Sequence, residues 1–212
     1  MAWLAGPLSP FFGRVEMDTI DYYNQNAASF YKRTIHADIS YAYQKFIPHL
    51  SPQARILDAG CGVGRDALYF KAQGFDVVAL DASIEMVKIS SELLGTPTLH
   101  CLFQDLLFEN EFDAIWASAS LLHVPYRELR SILEKLHLAL KPSGIFYASF
   151  KYGNSERIAD NRFFSDLNEK TILSYLEGIF APIEIWQVAD TRSQNPSPNQ
   201  TWLNVFCKSS RK

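Results

Sequence analysis

Cysteine is scarce in this chain. Only Cys61, Cys101 and Cys207 occur, far apart and odd in number. Their spacing fits neither a disulfide scaffold nor a thiolate metal site, so no metal is expected and a reducing, cytoplasmic setting fits best. Long apolar runs are also missing, which excludes a membrane-spanning helix as an expectation. There is no excess of positive charge. A net charge of −3 leaves no basic footprint of phosphate contacts, which argues against a nucleic-acid surface while leaving room for a local basic patch. Repeats and low-complexity blocks are absent. The opening MAWLAGPLSPFFGRVE has no basic start and is broken by Pro7, Pro10 and Gly13, so it does not read as a signal peptide. Met17 stands just before a polar, helix-like stretch. Residues 1–16 therefore read as a loosely held extension, or as the product of an early start codon, and 17–212 as one domain.

What is present is an alternation of strand and helix patterns beyond residue 50. Ile56 and Leu57 open a short buried strand. Residues 66–73 read as a helix closed by Gly74, where a chain can turn left-handed. DVVAL, 76–80, is apolar on both faces, which suits a parallel strand covered on both sides. Ser83 caps a helix that ends at Gly95. Strands three and four fall at 98–103 and 112–118. Pro125 suits the first position of a helix, whose Leu129, Ile132, Leu133, Leu136 and Leu140 keep one-face spacing. KPSG, 141–144, is a turn before strand five at 145–150. A helix at 169–178 and strands at 183–188 and 201–207 complete the chain. The linker TRSQNPSPNQ between the last two carries no helix signal, and a helix-free connection suits an antiparallel pair. The pattern predicts an open α/β sheet ending in an antiparallel hairpin.

The stretch ILDAGCGVGRDALYF, 56–70, carries the chemistry. Gly60, Gly62 and Gly64 alternate between a strand and a helix, which lets a ligand touch the backbone. A dinucleotide fingerprint is spaced G-x-G-x-x-G and holds a pyrophosphate at the helix start. Here the spacing is G-x-G-x-G, and the Asp58 carboxylate beside the loop repels a pyrophosphate. It suits a ligand with a cationic centre or an ammonium group, and S-adenosylmethionine has both and no phosphate. Asp81, at the tip of strand two, can accept hydrogen bonds from ribose hydroxyls; the alternative is a helix-capping or solvated acid, with Ser83 already available as a cap. Asp105 in FQDL can accept an adenine amino group, with Leu106 and Met86 covering the ring faces; the alternative is an exposed loop acid.

With these motifs in order, the chain resembles the class I S-adenosylmethionine-dependent methyltransferases. DAGCGVG resembles the first motif of that family and VVALDAS the second. FQDL resembles the adenine contact, FDAIWASASLLHV the fourth-strand motif and LKPSGIFYASF the fifth, over 55–151. The nearest likeness is to small-molecule enzymes of the tellurite-resistance or ubiquinone-biosynthesis type. The resemblance implies a Rossmann-like sheet of seven mostly parallel strands, helices on both faces and a C-terminal antiparallel strand. It implies that Gly60 and Gly62 lie against the methionine part of the cofactor, with Cys61, Ala82 and Gln104 among the neighbouring contacts, and that the main chain near Ala117 takes the ammonium group. Residues 17–50 resemble lid helices. In DYYNQNAASFYKRT, 21–34, Tyr22, Tyr23, Tyr31 and Arg33 are lid candidates, Arg33 for the cofactor carboxylate or simply as a surface charge.

Methyl transfer is an in-line displacement on an activated methyl group, so a base is optional. His123, past strand four at the carboxyl end of the sheet, is the candidate base; the alternative is a structural histidine before Pro125. Lys151, Tyr152, Arg162 and Trp202 are candidates for holding a small anionic or planar acceptor, with Arg162, Phe163 and Phe164 placed in a loop. No N-P-P-Y-like sequence of DNA-base aminomethyltransferases follows strand four, and no cluster of acids for metal-dependent transfer. Three readings remain at this stage: a small-molecule methyltransferase, a non-catalytic cofactor-binding module, and an RNA-directed methyltransferase.

Overall fold

A computed structural model describes residues 10–190 and 201–211, with side chains from Thr19 onward. The apolar strands form one seven-stranded sheet. In chain order its members are β1 (Arg55–Ala59), β2 (Asp76–Asp81), β3 (Leu99–His100), β4 (Phe112–Ala117), β5 (Leu140–Lys151), β8 (Phe180–Ala189) and β9 (Thr201–Ser209). Between β5 and β8 the short strands β6 (Glu156–Ala159) and β7 (Arg162–Ser165) form a separate antiparallel hairpin. The main sheet runs β3-β2-β1-β4-β5-β9-β8. Pairs among β1 to β5 are parallel, and β9 is antiparallel to both its neighbours. The strand order reverses between β1 and β4, and such a switch point opens a crevice at the carboxyl ends of the strands.

Alternation along each strand decides which layer it feeds. Leu57, Ala59, Ile115, Ala117, Phe146, Ala148 and Phe150 face one layer, closed by Leu129, Ile132, Leu133 and Leu136 of α5 (Tyr126–Ala139) and Ile172 and Leu176 of α6 (Glu169–Leu176). Ile56, Ala114, Trp116, Ile145, Tyr147 and Phe206 face the other, closed by Ala42, Tyr43 and Phe46 of α2 (Ser40–Phe46) and Phe70 of α3 (Arg65–Ala72). The second layer is aromatic, with Trp116 stacked on Tyr147 at 4.0 Å between centroids. Ser83 caps α4 (Ile84–Leu94) by accepting from the Met86 amide at 3.2 Å, and Gly95 closes that helix left-handed at φ 64°. α1 (Pro10–Thr34) crosses the carboxyl edge of the sheet and packs on α4 and β7. Among the described residues no helix is long and apolar enough to cross a membrane.

Several local expectations change. Helix α1 starts at Pro10, so 10–16 of the expected extension are helical, while 1–9 lie outside the described residues, as does the linker 191–200. Strand three shrinks to Leu99–His100, because Phe103–Asp105 turn into a 3-10 helix. Pro125 sits at the N-cap of α5, one place before its first helical residue. KPSG is a bulge inside β5: Phe112 faces Leu140 and Ala114 faces Ile145, so 141–144 have no room in the ladder. Arg162, Phe163 and Phe164 are in strand β7, not a loop, because Ala159, Ile158 and Arg157 pair with them.

One buried carboxylate ties three elements together. Asp66, at the start of α3, accepts from the Tyr43 hydroxyl of α2 at 2.7 Å, from Arg65 Nε at 2.5 Å and from the Trp116 indole of β4 at 2.8 Å. Burial raises its pKa, but Arg65 and these donors pull harder and leave it below the ordinary value. Asp66→Ala leaves Arg65 partly buried with no carboxylate and two further donors unsatisfied. We expect a loss of about 3–5 kcal/mol in urea unfolding. A loss below about 1 kcal/mol would mean that water takes over the carboxylate's role.

Candidate functional site

A cavity of about 240 Å³ opens over the switch point. Its floor is the glycine loop after β1. The Gly60 and Cys61 amides both donate to Leu80 O at 2.9 Å, which turns the loop back over β2. The three glycines are needed for different reasons. A Cβ on Gly60 would stand 2.4 Å from the Ser120 Cβ, and one on Gly64 3.0 Å from that of Ser90. Those two make room for the protein itself. A Cβ on Gly62 would meet only the Phe30 ring, at 3.8 Å, so the space kept free by Gly62 belongs to the cavity.

Asp81 is fixed against this floor. Its carboxylate accepts the Gly62 amide at 2.8 Å and the Ser83 amide at 2.8 Å. Each carboxylate oxygen keeps lone pairs for a further donor. Burial raises its pKa, and the backbone donors only partly offset that. Asp58 lies beneath the loop at 2 % exposure, and its Oδ2 has no hydrogen-bond partner among the described residues. Burial, then the charge of Asp66, pushes its pKa well above the ordinary value. Arg65 joins the wall from the start of α3, next to its partner Asp66. Met86, Cys101, Leu102, Phe103 and Gln104 form the far side. On the β4 side, Ala119 adopts a left-handed φ of 52°, its amide held by Ser149 Oγ at 2.8 Å.

The roof is α1. Tyr23, Phe30 and Thr34 line the cavity, with Ala27 packed between Val63 and Met86. Asn24 anchors the helix by accepting from Ser83 Oγ at 2.7 Å. His123 meets the roof: its Nε2 is 2.8 Å from the Tyr23 hydroxyl, and its Nδ1 is 2.6 Å from Phe163 O. A carbonyl only accepts, so Nδ1 carries the proton and Tyr23 donates to Nε2. Burial, reinforced by nearby Arg162, lowers the His123 pKa to about 4.

The cavity thus brings together Gly60, Cys61, Gly62, Asp81, Ala82, Met86, Gln104 and His123 from the expected set. It leaves others outside. Asp58 is sealed under the loop. Asp105 is exposed and Leu106 is buried in the layer under α5. Ala117 is fully buried, and Ser118 to Ser120 line the wall in its place. Arg33 is exposed, its guanidinium 5.7 Å from the Phe30 ring centroid. Tyr22 turns away from the cavity, under Arg162 at 4.7 Å. Lys151 is paired with Asp190 at 2.7 Å and lies 3.9 Å over Trp202, itself buried. Tyr152 is 42 % exposed beyond the end of β5. Tyr23, one of the lid candidates, joins those that line the cavity, while Phe30, Thr34, Arg65 and Ser120 line it without having been in the expected set. Tyr23, Ala27, Phe30 and Thr34 follow the i, i+4, i+7, i+11 spacing of one helix face, a signal that separates Tyr23 from its neighbour Tyr22.

A family model described as a methyltransferase domain matches residues 56–144. The chain is 36 % identical over 99 residues to an uncharacterized methyltransferase of Synechocystis, covering 46 % of this chain and 47 % of that one. It is 28 % identical over 144 residues to a malonyl-[acyl-carrier protein] O-methyltransferase of Enterobacter lignolyticus, covering 60 % and 56 %. The chain thus spans about half the length of the curated relatives it matches. Among solved structures, a Burkholderia thailandensis 1,6-didemethyltoxoflavin-N1-methyltransferase with bound 1,6-didemethyltoxoflavin and S-adenosylhomocysteine superposes with a TM-score of 0.75 at 23 % identity, over 97 % of this chain and 93 % of that one.

Two expectations follow from the geometry. Gly60→Ala combines a left-handed backbone with a clash into Ser120 and lowers stability by about 2–4 kcal/mol. Gly62→Ala costs about 1–2 kcal/mol and falls mainly on ligand binding. Equal stability losses in chemical denaturation would contradict this division. His123 titrates at about 4 in the fold and at about 6.5 when unfolded. Between these values the unfolded chain binds the extra proton, so stability falls as pH falls. The slope from this group is about 1.4 kcal/mol per pH unit, absent above 6.5. Unfolding measured between about pH 7 and 4.5 shows it in the parent and not in His123→Asn; identical slopes would refute it.

Proposed function

We infer that this chain, which belongs to the class I S-adenosylmethionine-dependent methyltransferases, transfers a methyl group from S-adenosylmethionine to a small-molecule acceptor. The observation that carries this reading is Asp81: a carboxylate at the tip of β2, locked by the Gly62 and Ser83 amides on a cavity wall. That position suits ribose hydroxyls. The space left by Gly62 takes the methionine part beside Arg65, whose guanidinium suits its carboxylate. Met86, Leu102 and Phe103 offer apolar walls for the adenine. A dinucleotide fits poorly, because the loop is spaced G-x-G-x-G rather than G-x-G-x-x-G.

The bound cofactor supplies an already activated methyl group. The protein's part is to align the acceptor, exclude water and take up a proton where the acceptor releases one. The α1 roof and the β6–β7 hairpin behind it enclose the site, which favours an acceptor small enough to fit under them. An RNA acceptor or a non-catalytic module would need that roof to open or the cavity to serve binding alone. The finer likeness to tellurite-resistance or ubiquinone-biosynthesis enzymes rests on the sequence motifs.

Calorimetry with S-adenosylmethionine, S-adenosylhomocysteine and NAD tests the reading. The first two should bind in the micromolar range and NAD should not. Asp81→Ala should weaken the binding by about 1–3 kcal/mol, the cost of losing a charged hydrogen-bond partner. Unchanged affinity in that variant would remove the ribose role. Cofactor binding with no turnover on any acceptor would favour the non-catalytic module.

A further inference from the structure

The hydrogen bonds at the inner end of the cavity run in one direction. Arg162 carries donors only. Its guanidinium is held between the rings of Tyr22, at 4.7 Å, and Phe164, at 5.2 Å, and its positive charge acts on Tyr23, opposing the rise in pKa that burial causes there. At the other end Phe163 O is an acceptor only, and it fixes the proton of His123 on Nδ1. The Phe163 amide is itself tied to Thr19 Oγ1 at 2.9 Å, and the pairing of Phe163 and Phe164 with Ile158 and Arg157 keeps the carbonyl in the β6–β7 hairpin. With Nδ1 protonated, Nε2 can only accept, so the single hydroxyl proton of Tyr23 goes to His123 Nε2. What its oxygen has left to offer is lone pairs, on a residue that lines the cavity.

We propose that Tyr23 is the residue that meets the methyl acceptor, that it does so as a hydrogen-bond acceptor, and that the acceptor is therefore a protic nucleophile carrying N–H or O–H rather than a carboxylate. This deepens the methyltransferase reading and rests on it. A carboxylate placed against Tyr23 would face a lone pair. To welcome it, Tyr23 would have to release His123 Nε2 and leave that nitrogen buried without a partner, at a cost typical of an unsatisfied buried polar atom. A protic acceptor needs no rearrangement.

The same chain gives the proton a path. As the acceptor atom takes the methyl group, the sulfur–methyl electron pair stays with the departing thioether. The acceptor's N–H or O–H bond breaks, its proton passes to Tyr23 oxygen, and the hydroxyl proton of Tyr23 passes to His123 Nε2. The positive charge that arrived with the methyl group ends on the imidazole, and solvent removes it when the roof opens. The low pKa of His123 suits a group that stays neutral until methylation has made the acceptor's proton strongly acidic. Tyr23 and His123 then act as one unit, with Tyr23 as the contact.

Nitrogen NMR of the histidine-labelled full chain tests the polarity directly. His123 should show its proton on Nδ1 and a hydrogen-bonded Nε2, and Tyr23→Phe should return Nε2 to the position of a free imidazole nitrogen. A proton on Nε2 instead would overturn the proposal. The second arm uses the protein saturated with S-adenosylmethionine and matched pairs of small aromatics, a phenol or lactam against the carboxylate of the same skeleton, with S-adenosylhomocysteine release as readout. Protic members should turn over, and Tyr23→Phe should slow them at least about 10²-fold with its calorimetric affinity for S-adenosylhomocysteine and its unfolding midpoint retained. Preferred methylation of carboxylates, or full activity in Tyr23→Phe, would overturn it. Failure to bind S-adenosylhomocysteine at all would strike the methyltransferase reading instead, and the NMR result would still decide the polarity of the chain.

Discussion

The carboxylate of Asp66 is the constraint on which the site depends. It takes its three donors from α2, α3 and β4, so the aromatic layer under the sheet and the helix after the glycine loop share one anchor. The same ion pair sets Arg65 at the cavity wall. It also explains why two buried acids close in sequence behave oppositely. Asp66 has a guanidinium and two neutral donors and stays ionised below the ordinary range. Asp58 faces the charge of Asp66 across the same small volume, with one oxygen unpartnered, and its charged form is disfavoured. The fold satisfies one acid at the other's expense.

A consequence concerns the roof. Helix α1 is held by contacts of modest size: Asn24 on Ser83, Tyr23 on His123, and a small apolar cluster around Ala27, Val63 and Met86. Each contact lands on a residue that also lines or borders the cavity. Ser83 is the N-cap of α4 and an Asp81 donor; His123 ends the turn after β4. The roof is therefore registered against the site itself rather than against distant core. Substitutions in the cavity and in the helix are expected to couple, because they share partners.

How much of this could be read from the residues depended on the range of the interaction. β1, β2 and α5 were legible because their patterns are local: apolar runs bounded by Gly, and one-face spacing from Leu129 to Leu140. The cap at Ser83 and the left-handed Gly74 and Gly95 were legible for the same reason. Asp81 could be placed because a strand tip beside a glycine loop has few other uses. The insertion of β9 between β5 and β8 was not legible, since pairing across a sheet leaves no mark on periodicity. Nor was the β6–β7 hairpin, whose strands are only four residues each, too short to show alternation. Lys151 looked available as a strand-end cation, but Asp190, far along the chain, takes it up. Tyr22 and Tyr23 were both lid candidates, and only the 100° between adjacent helix positions separates them: Tyr23 lines the cavity and Tyr22 lies under Arg162.

Three departures from local rules bear on the cavity. Asp58 is a buried acid with an unpartnered oxygen, Ala119 is a non-glycine residue held at φ 52°, and Arg162 has a buried Nε with no hydrogen-bond partner among the described residues. Each costs stability that a simpler residue would not, on the order of 1–3 kcal/mol for a strained backbone or an unsatisfied group. Their grouping has a common physical sense. The left-handed turn at Ala119 bends the chain after β4 into the wall, where Ser120 meets Gly60. Arg162 places its positive charge beside the Tyr23–His123 pair. Asp58 and Asp81 are acids whose charged forms the protein destabilises, and a cation entering the loop would relieve that penalty. The instability retained in the unliganded protein is thus of the kind that binding can return as affinity.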